Sequence, residues 1–463
     1  MTGVAARTGA LLTGRGQRAG PAAAAVVGLC LIAVGLVRAF EAAAPGLALT
    51  LVAGLGAVGL LALAIARYDA AVGVGLLLMG VVEIEPAPPD AVFAVIIALA
   101  MVTGRFRPSR APLAIVVLVG AFLAVNVASM LASIGLIAAL RFGLITIFLA
   151  VLALWLVGWL DSPGRARIIV VTWLAVGVAS AALGIAVVYL PLPGAEILMD
   201  GTRTRANVFF EDANVYGPFL VPIAAILLEE RLRPRLLRLR ASVSGLLFLV
   251  LAFGTVVSFS RAGWVNFVVA TFVMLGVVAL RRRGGRRALR MLVLLVIAAI
   301  AAAALMGATG SLGFLGERAQ LQSYDTERFG AQRAGFDLAM GYPVGVGPGQ
   351  FRFHHPVETH STYVRVLAEQ GVLGLMTWLA LVGVTLGLAV SNAFAGRDTF
   401  GIGSAALLGA WCGLLVNSAV VDTLHWRHLW VVAPLIWAGS LSARPDRRAA
   451  ARTRRVLPAR TVS

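Results

Sequence analysis

Three of the five histidines in this chain lie within seven positions, in the segment HHPVETHSTYVRVLAEQG (354–371). His360 directly precedes a helical pattern, and a neutral imidazole at a helix start can act as a general base near neutral pH. His354, His355 and Glu358 could instead join His360 in ligating a metal ion. A proline interrupts the segment, so no pair of ligands lies on one continuous helix face. The pattern therefore favours a site without a metal.

Other polar side chains with possible chemistry lie at or near predicted helix starts. Arg261 is flanked in SFSRAGW by serines and a glycine rather than by further arginines. An ionisable residue at the outer mouth of two membrane segments is a candidate functional residue, although it could also be an arginine that extends to the lipid surface. Arg328 and Arg333 could be solvated side chains of a loop helix. Asp212 and Asn214 could cap a helix or orient a polar ligand.

The composition is that of an integral membrane protein. Of the 463 residues, 60% are hydrophobic and 13% are charged, whereas soluble domains have about 25% charged residues. The net charge of +18 comes from arginine alone, and such an excess could indicate nucleic-acid binding. The arginines lie in short runs between apolar segments, which is instead the pattern of membrane topology, so no nucleic-acid partner is expected. Cys30 and Cys412 lie in apolar stretches, and no disulfide framework is predicted.

The arginines also predict the orientation in the membrane. A spanning helix needs about 20 apolar residues, and 12 to 14 segments of the sequence approach this length. They lie near 22–39, 45–66, 70–84, 90–104, 112–133, 138–160, 166–190, 213–229, 241–259, 262–280, 289–307, 371–392, 401–421 and 428–442. With this topology 28 arginines lie on one side and 10 on the other. The positive-inside rule places the first side, with both termini, in the cytoplasm, so all five histidines are expected on the outer face.

The predicted fold class is an all-α polytopic membrane protein with 12–14 transmembrane helices and one large outer-face loop. The regions are 1–190 (N-terminal transmembrane helices), 191–306 (central helices with Asn214 and Arg261), 307–370 (outer catalytic loop) and 371–463 (C-terminal transmembrane helices and basic cytoplasmic tail). The loop intersperses Phe, Leu and Tyr with charges. It is therefore expected to form short helices over the outer membrane surface.

Several common catalytic motifs are absent from the sequence. There is no P-loop and no Asp-x-Asp pair for a metal-held sugar nucleotide, and GVGPGQF (345–351) has the spacing of a tight turn rather than of a dinucleotide-binding loop. Nucleotides are scarce outside the cytoplasm. An enzyme with its site on the outer face must therefore use a donor that arrives already activated.

Four segments, in order, resemble motifs of the O-antigen ligase and O-antigen polymerase superfamily of bacterial polytopic membrane glycosyltransferases. EDANVYGPFL (211–220) resembles the acidic-x-Asn motif that opens a span, and SFSRAGW places Arg261 on a family arginine. ERFGAQRAGFDLAMGYPVGVGPGQF matches Arg328 to a second family arginine, fifteen residues before Pro343. HSTYVRVLAEQGVLG matches His360 to the catalytic histidine. The resemblance is close over about 210–380 and elsewhere extends only to topology.

Two positions depart from the family pattern. Gln332 stands where the family often has Trp, and Ala262 directly follows the first arginine. Neither departure removes a proposed catalytic group.

The resemblance implies a GT-C-like fold in the bacterial cytoplasmic (inner) membrane. It implies transfer of a glycan from a polyprenyl-diphosphate carrier to an acceptor hydroxyl, with inversion and without a cofactor, in cell-surface polysaccharide biosynthesis. The expected partners are the lipid-linked glycan donor, a lipid or glycan acceptor, and membrane lipid. His360 would take the acceptor proton, and Arg261 and Arg328 would hold the diphosphate. The implied substrate-binding residues are Asp212, Asn214, Arg333, Tyr363 and Glu369.

The sequence leaves two alternatives open. The identity of the acceptor is open, because the enzyme could be a ligase, a polymerase or a protein-glycosylating enzyme. The protein could also be a transporter or flippase for an anion or a lipid-linked glycan. Against transport, no matched inverted halves with broken helices are visible, and the polar residues gather in the outer loop rather than at mid-membrane.

Overall fold

The computed structural model describes residues 47–83, 86–200, 205–281, 285–308, 313, 316, 320 and 323–442. The predicted span at 22–39 and the basic tail from Arg444 lie outside the described residues. The chain divides into two compact units, Met1–Tyr68 and Asp69–Ser463. Of the first unit, the structure describes mainly helix α1 (Leu47–Ala66).

The other described helices follow in chain order. They are α2 (Tyr68–Leu77), α3 (Pro88–Val102), α4 (Leu113–Ser129), α5 (Leu136–Trp159), α6 (Pro163–Tyr189), α7 (Ala213–Leu232), α8 (Ala241–Val257), α9 (Arg261–Leu280), α10 (Gly285–Ala308), α11 (Ser323–Gly341), α12 (Thr362–Ala395), α13 (Ser404–Asn417) and α14 (Arg427–Ser442). The described residues contain no β-strand beyond isolated bridges.

Six described helices are long and apolar enough to cross a membrane. They are Leu113–Ala132, Leu136–Trp159, Pro163–Tyr189, Arg261–Leu280, Gly285–Ala308 and Thr362–Ala395. Shorter apolar helices, including Pro88–Val102 and Ala241–Val257, accompany them. The predicted fold class, an all-α polytopic membrane protein, is confirmed, and the count of 12–14 spans stays a prediction.

Helices α9 and α13 pack closely because α13 carries glycines four residues apart. A Cβ on Gly409 would overlap the carbonyl oxygen of Ala270, and one on Gly413 would lie 2.7 Å from the carbonyl oxygen of Asn266. Small residues at this spacing let the backbones of two membrane helices approach each other. This contact brings the last part of the chain against the central helices.

The arginine-rich loops meet at one end of the helices, which we call the arginine-rich end. Arg281 donates to the buried Glu229 carboxylate at 3.3 Å, and Arg235 lies 2.6 Å from Asp398. Arg167 donates to the carbonyl oxygen of Leu236 at 3.1 Å. Loops that lie far apart in sequence are therefore neighbours.

The opposite end holds the starts of α7, α9 and α12, and we call it the cavity end. Helix α7 has 20 residues, so at about 1.5 Å per residue the two ends are roughly 30 Å apart. This is about the thickness of the hydrocarbon core of a bilayer. Helices α7 and α9 both run from the cavity end to the arginine-rich end, and so separate the two sets of polar residues.

Candidate active site

A cavity of about 290 Å³ opens at the cavity end. Its walls are the start of α7, the segment before α12, the loop 418–426 and the start of α14. Three residues predicted to act in the site, His360, Asp212 and Asn214, line it together.

The backbone at His360 is held in a conformation that few side chains adopt. Its φ is +46°, in the left-handed region, where histidine is among the better tolerated residues. Ser361 then caps α12, its side chain accepting the N–H of Val364 at 3.5 Å. Strained backbone held by surrounding structure is concentrated at functional sites. The arrangement places a half-buried imidazole at the cavity wall.

The surroundings of His360 keep its imidazole neutral. Burial and the nearby Arg328 lower the pKa of His360 below its usual value, and the carboxylates of Asp212 and Asp422 oppose this only in part. A neutral imidazole can accept a proton at neutral pH, which is the requirement for a general base.

Arg261 begins its helix with the same local geometry. Phe259 has φ +48°, and Ser260 caps α9 by accepting the N–H of Gly263 at 3.1 Å. Thus a left-handed residue followed by a capping serine opens both α9 and α12. Arg261 directly follows its capping serine, Ser260, whereas His360 directly precedes its capping serine, Ser361.

Asp212 and Asn214 join the starts of α7 and α9. Asp212 caps α7 and accepts both the N–H and the side-chain amide of Asn214, at 3.0 and 2.9 Å. The side-chain oxygen of Asn214, Oδ1, accepts from the hydroxyl of Ser260 at 2.8 Å and from Arg205 at 3.1 Å. Asp212 is therefore a helix cap whose carboxylate also lines the cavity, and its role in orienting a ligand stays a prediction.

Arg261 and Arg328 lie outside the cavity lining, and both contact the ring of Tyr324. Their guanidinium groups lie 5.6 and 4.9 Å from the centre of the Tyr324 ring. Arg261 also donates to the Tyr324 hydroxyl at 3.0 Å, to the Asp325 carboxylate at 2.5 Å and to the carbonyl oxygen of Gln320 at 3.0 Å. Helix α11 therefore positions both arginines. The sequence reasoning passed over Tyr324 and Asp325, which directly precede the motif that begins at Glu327.

Glu369 does not line the cavity; it binds the turn at 343–351 that packs against α12. Its buried carboxylate accepts the N–H groups of Gly349 at 2.8 Å and of Phe351 at 3.2 Å. The glycines of this turn have positive φ, and a Cβ on Gly345 would overlap the backbone of Glu369. Helix α12 departs from helical geometry at Gly371 (φ +71°, ψ −171°), where the turn packs against it. The segment 343–351 thus fits around a break in the helix.

Two further residues that the sequence singled out lie away from the cavity. The hydroxyl of Tyr363 donates to the carbonyl oxygen of Leu415 at 2.9 Å, between α12 and α13. Arg333 is exposed on the outer side of α11. Neither is among the residues that line the cavity.

The structure adds a polar group that sequence reasoning missed. Arg365 donates to Asp422 and, at 3.2 Å, to Glu369. Burial alone would raise the pKa of Asp422, but Arg365, His425 and an N–H donor outweigh it and lower that pKa. His425 lies 3.0 Å from the hydroxyl of Thr146, and burial lowers the pKa of His425 to about 3.

Arg427 and His428 complete this part of the lining. Arg427 makes two hydrogen bonds with Asp90, at 2.8 and 2.5 Å. The one signal in the sequence was DTLHWRH (422–428), a dense polar run between two apolar segments. The predicted topology makes it a short connection between two spans, and its partners Asp90 and Arg365 lie far away in sequence.

The remaining histidines of the cluster do not face the cavity. His355 is bonded to the backbone of Val357, with Nδ1 2.8 Å from the carbonyl oxygen. His354 is exposed beside the ring of Tyr342. Across the described residues, no group of three or more His, Cys, Asp or Glu side chains converges as a metal-ligand set.

Comparison with known proteins agrees with the resemblance read from the sequence. Residues 246–379 match the family model described as O-antigen ligase, which covers the starts of α9 and α12 with Arg261, Arg328 and His360. A search of curated proteins gives no match. The family match implies glycan transfer of the ligase or polymerase type in polysaccharide biosynthesis by a multi-pass membrane protein.

Proposed function

We propose, on the premise that this chain carries the O-antigen ligase region over residues 246–379, that it transfers a glycan from a polyprenyl-diphosphate carrier to an acceptor hydroxyl. The reaction takes place at the outer face of the bacterial cytoplasmic membrane and needs no metal. The observation that carries the proposal is a neutral imidazole, His360, on the wall of a cavity, with Arg328 near enough to lower its pKa.

His360 acts as the general base. It accepts the proton of the acceptor hydroxyl as that oxygen attacks the anomeric carbon of the donor. The bond between this carbon and the diphosphate oxygen breaks, and its electron pair leaves with the diphosphate. A single displacement inverts the configuration at the anomeric carbon. General-base assistance of this kind contributes about 10²–10⁴-fold in rate.

Arg261 and Arg328 bind the departing diphosphate. A guanidinium group offers a planar pair of donors that matches phosphate oxygens, and two of them lie against the ring of Tyr324. Asp325 orients Arg261 through its 2.5 Å contact. Preorganised positive charge stabilises the charge that develops on the leaving group.

The separation of the two ends supports one orientation in the membrane. The arginine-rich end faces the cytoplasm by the positive-inside rule, which places the cavity end outside. There the carrier lipid can present its diphosphate at headgroup level while its tail stays in the bilayer. The acceptor is a lipid or a glycan. The region boundaries at residues 190, 306 and 370 stay predictions.

The test is reconstitution of the full-length protein with a polyprenyl-diphosphate oligosaccharide and candidate acceptors. We expect release of the carrier diphosphate only when an acceptor is present, with the new glycosidic bond inverted, and the same rate after treatment with a chelator. A flippase would move the carrier across the vesicle membrane without releasing diphosphate. That outcome would replace the proposal with the transport alternative. Activity lost to a chelator and restored by one divalent ion would show a metal-dependent reaction.

A further inference from the structure

The charged side chains that line the cavity are mostly carboxylates. Four lining residues carry carboxylates (Glu211, Asp212, Glu358 and Asp422) and two carry guanidinium groups (Arg365 and Arg427). Both guanidinium groups are already paired with carboxylates, Arg365 with Asp422 and Glu369, and Arg427 with Asp90. An acidic ligand in this space would face a lining with more carboxylates than guanidinium groups. A ligand rich in hydroxyl groups would instead find acceptors for its hydrogen bonds.

One lining residue has a hydrogen-bonding atom that the protein leaves unused. His428 lines the cavity and is only 2% exposed. Its Nε2 is buried and has no hydrogen-bond partner among the described residues. Leaving a buried polar atom unpaired costs stability, so its presence beside a cavity points to a ligand that supplies the partner.

The rings around His428 suit the same kind of ligand. The imidazole lies 4.9 Å from the ring of Trp426 and meets the ring of Phe219 edge-on at 5.9 Å. Both aromatic residues also line the cavity. Sugars present apolar C–H faces as well as hydroxyl groups, and mixed aromatic and polar walls bind both.

The size and position of the cavity limit what enters it. Its volume of about 290 Å³ lies at the lower end of the roughly 300–1,000 Å³ found for ligand pockets, so it has room for about one sugar ring. His360 lines it, whereas Arg261 and Arg328 do not. The cavity is thus next to the base and apart from the diphosphate-binding arginines.

We propose that this cavity binds one non-acidic sugar of the acceptor, carrying hydroxyl or amino groups, and that it excludes sugars with carboxylate or phosphate groups. His428 is a specificity-determining residue, because its Nε2 hydrogen-bonds a hydroxyl of the bound sugar. That the bound sugar belongs to the acceptor rests on the proposed function. Binding of the sugar itself can be measured without any transfer reaction.

The first experiment compares sugars that differ in one group. Methyl glycosides of the gluco and galacto series, each with a hydroxyl, an amine or a carboxylate at C6, are titrated against the full-length protein in detergent by saturation-transfer difference NMR. We expect saturable binding of the hydroxyl and amine forms of at least one series. The carboxylate form should bind about tenfold more weakly or worse. Equal binding of the carboxylate form, or no saturable binding in either series, would overturn the proposal.

The second experiment separates binding from structure at His428. The His428→Phe substitution keeps a ring against Trp426 and Phe219 but removes the buried nitrogen. We expect a five- to tenfold weaker sugar affinity, about the effect of one lost hydrogen bond, with a melting temperature that is unchanged or higher. His354→Phe, at an exposed histidine away from the cavity, is the matched control and should change neither.

Two results would contradict the role of His428. A lower melting temperature for His428→Phe would show that Nε2 has a partner within the folded protein. Unchanged sugar affinity would show that this nitrogen does not contact the sugar. If sugars bind with the expected selectivity but the reconstituted protein releases no diphosphate, the sugar-binding site stands and the proposed transfer reaction is wrong.

Discussion

The guanidinium groups of Arg261 and Arg328 share the ring of Tyr324, at 5.6 and 4.9 Å from its centre. Two positive charges around one ring repel each other, and one carboxylate, Asp325, contacts Arg261 at 2.5 Å. Tyr324 adds a favourable ring contact to each cation. The arrangement holds two arginines from α9 and α11 in one place, which is what an anionic group with several oxygens requires.

Replacing Arg261 with lysine should be severe although the charge is kept. A lysine ammonium lacks the planar pair of donors and cannot satisfy Tyr324, Asp325 and a diphosphate together. We expect carrier-lipid binding to weaken by about tenfold or more, equivalent to the loss of one charge-assisted hydrogen bond. Binding of carrier lipid to purified protein measures it. Arg352→Lys, at an exposed arginine outside the cavity lining, is the control, and equal effects of the two substitutions would contradict a specific role for Arg261.

His360 should differ sharply from the other two histidines of its segment. His360→Ala removes the proposed base, so single-turnover transfer should fall by about 10²–10⁴-fold while the protein stays folded and binds carrier lipid. His354→Ala and His355→Ala should cost far less, because the His354 ring is exposed and the His355 ring bonds the backbone of Val357. A near wild-type rate for His360→Ala would leave this residue only a structural role before the helix.

Much of this arrangement could be predicted because its residues act locally. The capping positions of Asp212 and Ser361 follow from polar residues before apolar runs, and His360, Asp212 and Asn214 do line one cavity. The pairing of Arg427 with Asp90 joins residues 337 positions apart, and nothing in either segment specifies the other. Helical spacing also does not reveal which face of α12 packs against α13, so the contact of Tyr363 with Leu415 could not be predicted.

The pH dependence should report the environment of His360. The base must be neutral, so kcat/KM should fall as the pH drops through the His360 pKa, which burial and Arg328 lower below 6.5. Arg328→Gln removes one lowering influence and should move this acid limb to higher pH in whatever activity remains. Asp212→Asn removes an opposing influence and should move it to lower pH. The pH profiles of the two variants decide the matter, and shifts in the same direction would exclude His360 as the titrating group.

The contact between α9 and α13 should tolerate no side chain at its centre. Gly409→Ala would place a methyl group against the carbonyl oxygen of Ala270, and overpacking of this kind costs about 1–3 kcal/mol. Gly383→Ala in α12 is the matched control, because nothing lies within 4 Å of its Cβ position and alanine favours a helix over glycine by about 1 kcal/mol. Thermal unfolding in detergent should show a lower melting temperature for the first substitution only. Equal melting temperatures would show that the two helices can move apart at no cost.

The orientation in the membrane can be tested at two exposed arginines, one near each end of α7. Arg333 is exposed on α11 near the cavity end, and Arg238 is exposed in a loop of the arginine-rich end. Thr359 lines the cavity but is only 1% exposed, so a cysteine there would not report sidedness. In a variant with Cys30 and Cys412 replaced by alanine, we expect an impermeant thiol reagent to label Arg333→Cys in intact cells. Arg238→Cys should react only after the membrane is opened, because an arginine-rich loop stays in the cytoplasm. The reverse pattern would place the cavity in the cytoplasm, where an outer-leaflet carrier could not reach His360.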